Sequence, residues 1–237
     1  MNQFTRINML LGADALKKFH NAKVAIFGLG GVGSHIAESL ARVGIGTLIL
    51  IDNDTVDITN INRQIIALHS TVGQDKVTVA KNRILDINPN AKVITHKIFY
   101  SKDSDQSIID SCDYVADAID SISSKLTLVE ECNKKNIPII SCMGTGNKLN
   151  PNLLEVADVF KTSVCPVCRV MRHELKKRNI NALKVVYSKE EPLKHQNNGI
   201  CSEINSNKRQ TPGSMPFLPS VAGFIIASEI VKDLVSK

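Results

Sequence analysis

The sequence predicts an α/β, doubly wound, mainly parallel sheet with a C-terminal extension that contains a long crossover loop and a closing helix. Three observations predict it. An apolar run, Val24 to Phe27, feeds the glycine-rich turn Gly28-Leu29-Gly30-Gly31-Val32-Gly33. Val32, Ile36, Leu40 and Val43 then recur at helical spacing, and a second apolar run, Leu48 to Ile51, ends in Asp52. Beyond it, apolar runs and helix-period patterns keep alternating, as parallel strands joined by crossover helices require.

The elements follow in order. Residues 23–27 form the first strand and 33–43 the helix that leaves the glycine turn. The apolar run at 47–52 is the second strand, and 75–87 is a helix closed by Asn88-Pro89-Asn90. A strand at 92–98, a helix at 104–111 and a strand at 114–119 come next. The helix at 123–136 and the strand at 137–142 meet at the turn Asn136-Ile137-Pro138. After Gly146 the rhythm changes to a strand at 154–160, a basic helix from Pro166 to Arg178 and a strand at 184–188. Residues 189–216 are polar and punctuated by Pro192, Asn198-Gly199, Pro212-Gly213 and Pro216; a stretch of that kind reads as a functional crossover loop. Residues 217–235 read as the closing helix. The whole of 1–237 is one domain, with a nucleotide-binding core at 1–146 and a substrate-side extension at 147–237.

This strand–glycine turn–helix–strand arrangement is a Rossmann-like nucleotide-binding unit. Gly28 permits the tight turn, Gly30 lets the backbone approach phosphate, and Gly33 lets helix and strand pack closely. Asp52 is placed to accept hydrogen bonds from ribose hydroxyls, and the helix start favours an anion. Five further features exceed that unit: Asp52-Asn53-Asp54; Thr59-Asn60-Ile61-Asn62-Arg63-Gln64; Lys76; Asp117-Ala118-Ile119-Asp120-Ser121; and Arg6, outside the main fold. Asn60 and Arg63 can fork onto phosphate oxygens, Lys76 suits a triphosphate, and a strand-end carboxylate can hold magnesium. A dehydrogenase has no use for such a clamp. An enzyme that makes an acyl adenylate needs it, because attack at the α-phosphate expels pyrophosphate.

The chain has 237 residues, 43% apolar and 22% charged, with a net charge of +6, and its pI is near 9.0. A basic balance favours a polyanionic partner such as RNA. Met1 to Asp14 lacks a basic stretch followed by an apolar core, so no signal peptide is expected. The apolar segment Met215 to Ser228 is too short to cross a bilayer and reads as part of a buried helix. Six scattered cysteines suit the reducing cytoplasm.

Through Gly28-Leu29-Gly30-Gly31-Val32-Gly33, Asp52-Asn53-Asp54, Asn60-Ile61-Asn62-Arg63-Gln64, Gly73-Gln74-Asp75-Lys76 and Asp117-Ala118-Ile119-Asp120, the chain resembles the ThiF-type adenylating family, which includes ubiquitin-activating enzymes and activators of sulfur-carrier proteins. The resemblance implies nucleotide contacts at Gly31, Asp52, Asp54 and Ser121, phosphate contacts at Asn60, Arg63 and Lys76, and a catalytic magnesium at Asp120. It also implies ATP as cosubstrate, a homodimer in which Arg6 enters the partner's site, and a possible sulfur-transfer partner protein. Val159-Phe160-Lys161-Thr162-Ser163 and Val186-Tyr187-Ser188-Lys189-Glu190-Glu191-Pro192 extend the likeness to the branch of tRNA threonylcarbamoyladenosine dehydratases. Members of that branch activate the threonylcarbamoyl carboxylate on a tRNA adenosine, and the ureido nitrogen then closes a ring. On that reading the partner is tRNA carrying threonylcarbamoyladenosine.

Alternatives stay open at this level. Asp117 is either a metal ligand or a strand-end carboxylate that supports Asp120, and Asp54 reads more as helper than ligand. Cys165-Pro166-Val167-Cys168 reads as two reduced helix-start thiols; structural zinc would call for a second pair, or for His173 and Cys201. Cys201 could stand where ubiquitin-activating relatives carry a thioester cysteine, and His69, His173 and His195 are candidates for proton transfer. Arg169, Arg172, His173, Lys176, Lys177 and Arg178 form either a solvated helix face or a tRNA contact, joined in the second case by Lys184, Lys189, Lys194, Lys208 and Arg209. The rival functions are a sulfur-carrier activating enzyme, an NAD-dependent oxidoreductase and a non-catalytic tRNA-binding module.

Overall fold

The computed structural model describes residues 1–193 and 212–236. Alternation along the first strand shows how the layers form. In β1 (Lys23–Phe27), Val24 and Ile26 face one side of the sheet while Ala25 and Phe27 face the other, and all four are buried. β2 (Thr47–Ile51) repeats this pattern, so both strands need cover on both faces.

Helices α2 (Gly33–Val43), α3 (Lys76–Ile87) and α6 (Phe217–Ser236) cover the Val24–Ile26 face. The other face packs on α4 (Ile122–Lys135) and the segment around Tyr100 and Ile109. β3 (Lys92–His96), β4 (Tyr114–Asp117), β5 (Ile139–Cys142), β6 (Leu154–Asp158) and β7 (Lys184–Ser188) complete a seven-stranded sheet of order β3-β2-β1-β4-β5-β7-β6. Every pair is parallel except β6 with β7. α5 (Pro166–Lys177) closes a satellite core over β7 through Cys168, Met171 and Leu175. The strand order reverses between β1 and β4, which is where an open sheet of this kind leaves a crevice at its carboxyl ends.

Three sequence expectations change. A helix, α1 (Thr5–Asn21), precedes β1 where none was expected, so Arg6 lies on a packed element and not on a detached tail. Its later half is seated by buried Ala15 and Phe19, and Gly12, at φ 82°, breaks it. The expected helix at 104–111 is a single 3-10 turn, Gln106–Ile109. The side chains there compete with the helical ladder: Asp105 accepts from the Ser107 amide at 2.9 Å, and Ser104 Oγ from the Ser101 amide at 2.9 Å. The strands expected at 92–98, 114–119 and 154–160 stop at His96, Asp117 and Asp158, which frees the residues after β4 to line the crevice. Of the expected crossover loop 189–216, residues 194–211 lie outside the described residues, as do Lys194, His195, Cys201, Lys208 and Arg209.

Candidate nucleotide and acyl-transfer site

The crevice is a cleft of about 520 Å³ whose walls come from both sides of the switch point. Its floor is the glycine turn. Gly28 sits at φ +85°, and a Cβ there would meet the Ala118 carbonyl at 2.7 Å. A Cβ on Gly33 would lie 1.7 Å from the Gly28 carbonyl oxygen, so no side chain fits where α2 begins. Gly33→Ala is therefore expected to cost about 3 kcal/mol, since backbone on both sides of the clash would have to move; urea unfolding followed by far-UV circular dichroism measures it. Buried His35 steadies the same turn by donating from Nδ1 to the Gly31 carbonyl at 2.8 Å. Its burial holds the imidazole below its ordinary pKa and so neutral.

Asp52 follows the last residue of β2, with Oδ2 accepting from Leu29 N–H at 2.6 Å and Oδ1 from Asp54 N–H at 2.8 Å. Burial pushes its carboxyl above the usual range, against the pull of those amides and of Lys76. Lys76, only 5% exposed, opens α3 and donates to Asp54 Oδ2 at 2.8 Å. A cation at a helix N-terminus opposes the dipole, and here Asp54 compensates it. Asn60 is buried in the adjoining turn. Arg63 uses Nη1 on the Thr59 carbonyl and Asn62 Oδ1, both at 2.8 Å, and its aliphatic stem lies against Gly31.

Across the switch point, Asp117 is wholly buried and not open to the cleft. Its Oδ2 accepts from Lys125 Nζ and its Oδ1 from the Ile119 amide, each at 3.0 Å, which orders the wall Ala118-Ile119-Asp120. Asp120 is an exposed carboxylate on that wall, and no ion pair with a described residue engages it. Ser121 caps α4 by accepting from the Ser124 amide and does not line the cleft.

The structure thus gathers Gly28, Gly30, Gly31, Asp52, Asp54, Asn60, Arg63, Lys76 and Asp120 around one space, with Gly33 directly beneath it. It leaves Arg6 exposed and outside that space. Sequence reasoning gave no role to Gln64, which is 6% exposed and lines the cleft with Oε1 lacking a partner among the described residues. Its place in the Asn60–Gln64 motif was the available signal. The Gly144-Thr145-Gly146 turn and Lys125 were missed likewise.

The other candidates disperse. His69 and His173 do not line the cleft. Cys142 lines it, but burial pushes its thiol up to about 12, far from a resident thiolate. Cys165 caps α5 and Cys168 lies in its first turn, both free and buried. The Cys168 thiol, nearby backbone amides and Lys148 draw the Cys165 pKa down. Among the described residues, no group of three His, Cys, Asp or Glu could hold a metal ion. The basic face is partly engaged: Arg172 donates to the Thr162 carbonyl at 3.1 Å, and Lys177 and Arg178 pair with Glu174 at 2.9 and 2.7 Å. Lys184 pairs with Glu229 and Asp233, and Lys189 with Glu155. Arg169 and Lys176 make no ion pair with a described residue, so the face stays net positive. Among the described residues no helix is long and apolar enough to cross a membrane.

Comparison with known proteins agrees with this fold. The tRNA threonylcarbamoyladenosine dehydratase of Bacillus subtilis (strain 168) is 42% identical, across 99% of this chain and 95% of its own length. The crystal structure of the Escherichia coli tRNA N6-threonylcarbamoyladenosine dehydratase in complex with AMP superposes with a TM-score of 0.89 at 32% identity, covering 99% of this chain and 94% of that one. A molybdopterin-synthase adenylyltransferase of Salmonella typhimurium (strain LT2) is 35% identical, but across only 55% of this chain and 51% of its own length. The ThiF family model matches residues 4–237, and the chain belongs to that family.

Proposed function

We propose that this protein uses ATP to cyclise threonylcarbamoyladenosine in tRNA, through an acyl adenylate and with release of AMP and pyrophosphate. The observation that carries the reading is the division of the cleft. Arg63, Lys76 and the glycine turn line it on the β1–β2 side, and the Gly144–Gly146 turn lines it from beyond β5. A triphosphate and a second, acyl substrate thus have adjoining places. Full-length likeness to the dehydratases supports the choice of substrate.

The chemistry follows from the residues. Amides of the glycine turn at the start of α2 hold phosphate oxygens. Asn60, Arg63 and Lys76 offset the charge that builds on pyrophosphate as the carboxylate attacks the α-phosphate. Asp52 accepts from the ribose. The nucleophile for ring closure is tethered to the same nucleoside, so orientation supplies much of the rate and no enzyme thiol is required. The protonated thiol of Cys142 is in keeping with that route. Magnesium fits the donor set, since Asp120 is a hard oxygen ligand in the cleft that no described residue pairs; when bound, the ion would neutralise pyrophosphate charge.

The reading includes a homodimer in the cytoplasm. Arg6 and the exposed Met9 and Leu10 occupy the part of α1 before the Gly12 break, where a second copy would cover the apolar side chains and receive the arginine. A sulfur-transfer partner protein rests on family resemblance alone. The test is mass spectrometry of nucleosides from modified tRNA incubated with protein and ATP. Conversion is expected to lower the mass of the modified nucleoside by one water and to release AMP; ADP release, or an unchanged nucleoside, would reject the reading.

A further inference from the structure

Asn147 stands where the chain leaves the Gly144–Gly146 turn, in the left-handed region at φ 58°. Asparagine tolerates that conformation better than most side chains do. Hydrogen bonds from it reach two other segments. Its N–H donates to the Gly213 carbonyl at 2.8 Å, its carbonyl accepts from Leu193 N–H at 2.7 Å, and its side-chain Oδ1 accepts from Gly213 N–H at 2.7 Å. One residue therefore fastens two stretches of chain far apart in sequence. The contact is close, because a Cβ on Gly146 would lie 2.7 Å from Pro212 Cβ. On the far side, Asn62 Nδ2 donates to the Ser214 carbonyl at 3.0 Å, next to Arg63. The short strip Pro212–Ser214 is thus stitched between the β5 loop and the phosphate-side motif, and both Pro212 and Ser214 line the cleft.

Among the described residues the strip makes no hydrogen bond to the glycine turn, Asp52 or Lys76; Asp52 bonds to Leu29 and Asp54, and Lys76 to Asp54, all on the β1–β2 side. In the function proposed above the nucleotide takes the β1–β2 side, and the strip, packed on Gly146, borders the rest of the cleft. We propose that Asn147 is a positioning residue for the acyl substrate: through Gly213 it holds Pro212–Ser214 as the wall that presents the carboxylate to the α-phosphate. The inference rests on the function proposed above and adds to it the residue that orders the second substrate's half of the site.

Two replacements separate the parts played by the side chain. Asn147→Asp keeps both the acceptor oxygen and the tolerance for positive φ. Asn147→Gly keeps the tolerance and deletes the acceptor. Each is compared with the unaltered protein for ATP affinity by titration, thermal midpoint, and kcat and KM for modified tRNA. Asn147→Gly is expected to lower kcat/KM for the tRNA about tenfold, the loss of one hydrogen bond, with ATP affinity and thermal midpoint unchanged. Asn147→Asp is expected to behave as the unaltered protein. If the glycine variant melts early, the comparison is repeated at a temperature where both variants and the unaltered protein are fully folded. Equal losses in ATP affinity and tRNA turnover, no loss at all, or an aspartate variant as weak as the glycine one would each overturn the assignment. An unaltered protein that binds ATP yet leaves the tRNA unchanged would instead strike the proposed function, and this inference with it.

Discussion

Lys125→Met is expected to cost about 3–5 kcal/mol of folding free energy, a large share of what holds a domain together. The reason lies in how Asp117 is enclosed. Its side chain is 0% exposed and that of Lys125 is 3%, with 3.0 Å between Nζ and Oδ2. Removing the ammonium strands a carboxylate that has only the Ile119 amide left. Asp117→Asn with Lys125→Met should recover much of the loss, because the pair in isolation contributes little beyond a well-packed neutral substitute. Urea unfolding of both single variants and the double variant reads this directly. A single-variant loss below about 1 kcal/mol would show that water reaches the carboxylate after all. The consequence for the site is local. Asp117 ties down Ile119, so the variant should also loosen the wall on which Asp120 stands.

That pair also marks where sequence reasoning stops. The turn from Gly28 to Gly33 and the two strands beside it were legible because their signals are local: glycines where no Cβ fits, and apolar residues alternating on a doubly covered sheet. Asp117 was legible as a strand-end carboxylate. Its partner was not, since Lys125 reaches it only after β4 and α4 have packed. α1 was overlooked although Ile7, Leu11, Ala15 and Phe19 recur four residues apart, because Gly12 interrupts the pattern and only its later half buries a face. The reverse error occurred at 104–111, where Ser104 and Asp105 turn their oxygens to backbone amides. In the basic run 169–178 the pairing is also a product of packing and helical spacing. Glu174 stands among the cations at helical spacing and takes two of them, while Arg172 turns inward to Thr162. Clefts draw residues from several elements, so Gln64 and the Gly144–Gly146 turn emerge as wall only once the sheet order is known.

Asp120→Ala and Arg63→Ala should each slow adenylate formation about 100-fold or more, while folding stability changes by less than about 0.5 kcal/mol. The two halves of that expectation come from different observations. Asp120 is exposed and engages no described residue in an ion pair, so its removal strands nothing. Among the described residues Arg63 bonds to the Thr59 carbonyl and the Asn62 side chain through Nη1 alone, which leaves Nε and Nη2 for an anion. Neither residue therefore has a structural task that accounts for a large kinetic loss. Leaving-group charge grows as pyrophosphate departs, so a contact made there is stronger in the transition state than in the bound substrate. The loss should consequently fall on kcat and kcat/KM alike. A rise in KM for ATP with kcat unchanged would instead mean that the two groups bind the nucleotide evenly throughout and take no part in expelling pyrophosphate. Single-turnover AMP formation on modified tRNA, compared with ATP titration of the same variants, separates these outcomes. Lys76→Ala is a poorer probe, because it would leave Asp54 without its cation at the start of α3 and mix a stability loss with the kinetic one.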